Sequence, residues 1–124
     1  MVLRGAAALL LGSLSLVVCQ PLLAQPDVDP AQQRAANLAR NRAVELNGGL
    51  TKYRPAACMF VIGGGACMVR KDSKGYLFRF QGGAPGWVQL KLPPTTLTEV
   101  LVDPDGRAVV GTPVNNPLSA PAKQ

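Results

Sequence analysis

The sequence predicts an α+β fold, with one N-terminal helix packed on an antiparallel β-meander of five or six strands. Three observations lead there. A single capped helical pattern follows an apolar leader. Turn signals then recur at roughly 8–12-residue spacing. No second helical pattern separates the strand-like runs, as parallel βαβ units would require.

The leader comes first. Arg4 precedes an apolar run from Gly5 to Cys19, and a small residue, Ala24, follows just before Gln25 and Pro26. That is the layout of a secretory signal peptide, a basic start, a short apolar middle and a small residue at the cut. The run is about 15 residues, short of the roughly 20 that a spanning helix needs. Residues 1–24 are therefore expected to be a signal peptide, residues 25–112 one α+β domain and residues 113–124 a Pro/Asn-rich flexible tail. Cys19 offers an alternative, because Leu16-Val17-Val18-Cys19 loosely resembles a lipoprotein box. Val18 stands where such boxes carry Gly, Ala or Ser, which favours cleavage at Ala24 over lipidation at Cys19. The expected home is periplasmic or extracellular.

The helix is expected over about residues 30–47. Asp29 supplies an N-cap oxygen, Pro30 fits the first helical position, and Asn47-Gly48-Gly49 forms the stop. Good helix formers lie between, and Ala35, Leu38, Ala39, Arg42 and Leu46 share one side at helical spacing. That narrow, alanine-rich stripe suits close packing on a sheet.

Strands are expected over about residues 57–110. Cys58 to Ile62 and Ala66 to Lys71 read as a hairpin around Gly63-Gly64-Gly65, and Asp72-Ser73-Lys74-Gly75 turns into Tyr76 to Gln81. Trp87 to Leu92 reads as a fourth strand. Thr98 to Val102 and Arg107 to Val110 flank the turn Asp103-Pro104-Asp105-Gly106. Tyr76, Phe78 and Phe80 alternate and so share a face, which is expected to be the core under the helix.

Cysteine usage agrees with export. Cleavage leaves Cys58 and Cys67, an even pair that an oxidising compartment would close into a disulfide. The bridge would join the two strands of the first hairpin and hold the base of the glycine loop.

Absences narrow the function. The chain has no histidine, so the commonest general base and metal ligand are missing. The cleaved chain would keep Ser73 and Ser119, neither in a nucleophile elbow, and Cys58 and Cys67 lack redox or zinc spacing. Gly63-Gly64-Gly65 runs into β-like residues and not into a helix, unlike phosphate loops. Asp103 to Gly106 lacks the further ligands of a calcium loop. Lys74-Gly75-Tyr76-Leu77-Phe78-Arg79-Phe80 resembles the start of an RNA-binding aromatic strand, but Leu77 and the element order depart from that pattern. No enzyme activity, cofactor, metal or nucleic-acid partner is expected.

Charge supplies the positive signal. The sequence holds 13 basic and 7 acidic side chains, and nine of the basic ones lie between Arg34 and Arg79. Lys52, Arg54, Arg70, Lys71 and Lys74 are the candidate contact with an anionic surface or an envelope protein.

Glu45 to Leu50, Tyr53-Arg54, Cys58-Met59-Phe60, Gly64-Gly65, Cys67 and Gly82 to Trp87 together resemble small exported proteins of cyanobacteria without an assigned function, over about residues 40–90. The resemblance implies a periplasmic or thylakoid-lumen home and transfers no site. The expected function is a non-enzymatic, disulfide-stapled binding module of the envelope. The alternatives are an assembly subunit of an envelope or lumenal complex, or a protease-inhibitor-like protein presenting the Cys58–Cys67 loop.

Overall fold

The computed structural model describes Gly5, residues 12–20 and residues 27–119. The expected cleavage point at Ala24 and the last five residues of the expected tail lie outside the described residues. Residues 12–20 are exposed and form no regular element. No helix among the described residues is long and apolar enough to cross a membrane.

The architecture is α+β, with one helix and a five-stranded antiparallel sheet. Helix α1 spans Pro30–Leu46. Asp29 caps it, its Oδ1 accepting from the Ala31 amide at 2.8 Å. Asn47 ends it, donating from Nδ2 to the Ala43 carbonyl at 2.7 Å, and Gly49 N–H closes on Val44 O. Ala35, Ala36, Ala39 and Ala43 form its buried stripe. The stripe is rotated from the expected one: Leu46 is exposed and Arg42 half-buried. Alanines let the helix approach the sheet closely, while the sheet supplies the bulk through Phe78, Phe80, Val100 and Val102.

The strands are β1 (Arg54–Pro55), β2 (Met68–Asp72), β3 (Gly75–Gly83), β4 (Thr96–Val102) and β5 (Val109–Pro117). Strand β3 is central. On one side it pairs with β4, and β4 pairs with β5. On its other side it holds β2 at residues 75–78 and β1 at residues 82–83. Tyr76, Phe78 and Phe80 are buried under the helix, as their alternation requires.

Three expected elements differ. Cys58 to Ile62 is not a strand: Ala57–Phe60 is a 3-10 turn, and Ile62–Cys67 is a run of tight turns. The bridge therefore spans two turn segments just before β2 and not a hairpin. The physical reason lies in the triple glycine. Its φ values of 69°, 83° and 48° coil the chain back under α1, and a methyl at Gly64 would overlap the Phe78 ring. Gly63 N–H donates to Gln33 Oε1 at 2.7 Å, and Gln32 Nε2 donates to Gly63 O at 3.1 Å.

Trp87 to Leu92 is likewise no strand. It forms successive turns, with Leu90 N–H on Gly86 O at 2.9 Å and Leu92 N–H on Trp87 O at 2.9 Å. Finally, residues 113–117 are not tail but the second half of β5. Its register slips opposite Val100, where Gly111 has φ 66° and the chain bulges by Pro113. An edge strand tolerates proline at a bulge and at its end, which is where Pro113 and Pro117 stand.

Candidate functional site

The disulfide Cys58–Cys67 closes a segment that presents three consecutive large apolar side chains. Phe60, Val61 and Ile62 are 58%, 55% and 48% exposed. Their backbone is held from every side. Met59 is fully buried as an anchor, and its carbonyl accepts from Arg40 Nη1 at 3.1 Å. Met59, Val61 and Gly64 amides each close a tight turn onto Ala56, Cys58 and Val61 carbonyls. The cysteines, with Cα atoms 5.7 Å apart, fix both ends. Exposing such side chains contributes nothing to the core, yet the local structure is built to hold them still.

Phe60 stands between two grooves. One, of about 340 Å³, runs past Arg54, Pro55, Trp87 and Val88. The other, of about 470 Å³, lies over α1 between Arg40, Val44 and Leu50. The Arg40 guanidinium carbon sits 5.2 Å from the Phe60 ring centroid, within cation–π reach. Trp87 is fixed by its indole N–H, which donates to Arg54 O at 2.9 Å. The paired glycines of β3 explain how both sides of the sheet are used here. A side chain at Gly82 would overlap the Tyr53 ring, and one at Gly83 would press on Trp87. Successive strand residues face opposite ways, so Tyr53 packs in the core and Trp87 lies over the other face.

The five basic residues expected to act together are split. Arg54 stands in β1 at one end of the β3 edge, where it lines a groove with Phe60, and Lys52 lies two residues before it. Arg70, Lys71 and Lys74 stand at the β2 end. Lys71 pairs with Tyr76 and Arg54 with Gly83, a separation of roughly 23 Å along the strand. The sequence reading placed them on one hairpin system, but β1 and β2 occupy opposite ends of the same edge. Arg70 is also paired with Asp72 at 2.9 Å, and Lys71 lies over the Tyr76 ring. Arg54 retains a contact to the Leu50 carbonyl at 3.0 Å. Around the Phe60 face the acidic rim residue is Glu45, which Arg42 holds at 3.0 Å.

Phe60, Val61, Ile62 and Trp87 were not among the expected site residues. No local pattern marked them, because Cys58 to Ile62 and Trp87 to Leu92 both read as strands, and their exposure follows from the turns that replace those strands. Asp103 and Asp105 serve structure. Asp103 Oδ1 accepts from the Arg107 and Ala108 amides, and Arg34 donates to Asp105 O at 2.8 Å.

Comparison with family models, curated proteins and solved structures finds no match for this chain. Its function is therefore argued from the site alone.

Proposed function

We propose that this protein is an exported, non-enzymatic binding module whose contact surface is the disulfide-held Phe60 face. The observation that carries the reading is the immobilised exposure of Phe60, Val61 and Ile62. Ordering a loop at the moment of binding costs affinity, and a loop already ordered avoids that cost. Flanking grooves lined by Trp87 and Leu50 extend the apolar area, and Arg40 and Arg54 give it a positive rim.

The inhibitor-like alternative fits the geometry poorly. A substrate-like loop needs extended backbone free to pair with a protease. Here Val61 alone is extended, between a 3-10 turn and the tight turns that follow. The assembly-subunit reading has one observation in its favour, the uncovered sheet face with Leu77 and Leu101 half-buried and Val110 and Val114 exposed.

Photo-crosslinking in the native envelope tests these readings. A benzophenone side chain in place of Phe60 or Val88 should give adducts, while one at Ser73 should not. Adducts from Leu101 alone would replace the proposal with the subunit reading. The same preparation checks export: its intact mass without reductant should match residues 25–124 less two hydrogens, and an uncut chain would contradict it.

A further inference from the structure

We infer that the partner of the Phe60 face is an anionic lipid bilayer surface. This rests on the reading of that face as the contact surface and names what it touches. Four features agree. First, the apolar element protrudes: Phe60, Val61 and Ile62 are consecutive and about half exposed, and Leu50 (49%) and Leu90 (67%) expose further apolar area in the segments flanking it. Such side chains suit the boundary between headgroups and acyl chains, where apolar faces enter by about 5–10 Å.

Second, much of the loop's backbone is already hydrogen-bonded within the protein: the Met59, Val61, Gly63 and Gly64 N–H groups have partners there. An extended loop would need water or another chain to satisfy them, and the acyl region offers neither.

Third, the cations sit at the margin of the apolar element and not within it. Arg40 lies against the Phe60 ring, and Arg54 lines the groove beside it. The acidic residue on that rim, Glu45, is paired with Arg42. An apolar tip with a basic collar is the charge arrangement complementary to an anionic headgroup layer. Fourth, the disulfide keeps the tip ordered before contact.

Sedimentation of the unreduced protein with lipid vesicles tests the inference. Vesicles of phosphatidylcholine containing phosphatidylglycerol should bind it, and phosphatidylcholine alone should bind it at least tenfold more weakly. Each cation near an anionic surface adds roughly fivefold, so Arg54→Ala should weaken binding by about fivefold. Phe60→Ser should weaken it by about tenfold or more, whereas Phe60→Trp should preserve it and show a blue-shifted tryptophan emission with vesicles. Arg70→Ala with Lys71→Ala should leave it nearly unchanged. Thermal melts of each variant separate lost binding from lost folding.

Failure to bind anionic vesicles overturns the inference. So does equal weakening by the Arg70/Lys71 pair, which would mean diffuse electrostatic attraction. If vesicles fail but position 60 still crosslinks to a protein in the native envelope, the lipid partner falls and the binding face stands. If both fail, both readings fall.

Discussion

Tyr53 is 2% exposed, and its hydroxyl has no hydrogen-bond partner among the described residues. Thr98 lies nearby, but its Oγ1 already donates to Asn115 Oδ1 at 2.7 Å. A buried hydroxyl without a partner costs stability, so Tyr53→Phe should keep the fold and raise its stability by up to about 1 kcal/mol, read as a higher thermal midpoint. Burial also pushes the Tyr53 hydroxyl above its ordinary value of 10.0, with Thr98 offsetting part of the effect. Tyr76 moves the same way, through burial first and then the charge and hydrogen bond of Asp29. Above pH about 10 the unfolded chain sheds these protons while the folded chain keeps them. Stability from this source is therefore complete below that pH and declines as pH rises beyond it. Tyr53→Phe should flatten part of that alkaline decline; an unchanged profile would show that Tyr53 does not contribute. At this scale much was legible in the sequence. Asp29, Pro30 and Asn47 act on their own neighbours, so local chemistry sufficed to place them. The exposure of Phe60 was not legible, because it depends on where the chain goes after Gly63.

At the scale of elements, the helix and the strands β3 and β4 could be read from the chain, since capping and alternation are local patterns. The segments on either side of β3 could not. Cys58-Met59-Phe60-Val61-Ile62 has β-forming side chains, but the edge of β3 beside it is taken by β1 and β2. With no ladder to join, it curls into turns and is closed by the disulfide. Trp87 to Leu92 also carries bulky apolar side chains and had the same outcome, Lys91 adopting φ 54°. In the other direction, Pro113, Asn115, Asn116 and Pro117 read as tail residues, yet β4 offered an open edge and recruited them. Side-chain preference was overruled wherever pairing partners were lacking or in excess. The disulfide makes a prediction here. Replacing Cys58 and Cys67 by serine frees a ten-residue ring and should lower stability by about 2.5–3 kcal/mol on the chain-entropy account. Hydrogen exchange should rise first at the Val61 and Gly64 amides, which close the turns inside that ring. An unchanged unfolding midpoint would mean that the helix contacts of Gly63 alone hold the loop.

At the scale of the molecule, the sheet has two unlike faces and two unlike ends. One face is filled by the helix alanines and the rings of Phe78 and Phe80. The other remains open around Leu77 and Leu101, crossed by the Arg79–Glu99 pair at 2.9 Å. The five basic residues singled out in the sequence are divided between the two ends of one edge; Arg54 lines a groove with Phe60 and Trp87, whereas Arg70 lies beside the aliphatic Val110 and Val114. That coincidence of charge and immobilised apolar side chains is what distinguishes the Phe60 face from the rest of the surface. The central claim is that this face is covered when the protein is in place. Oxidative footprinting of the protein in intact cells, compared with the purified protein, tests it most directly. The account predicts protection at Phe60, Val61, Ile62 and Trp87, with Leu77 and Leu101 labelled equally in both preparations. Equal labelling at Phe60 in both, or protection confined to Leu77 and Leu101, would contradict it.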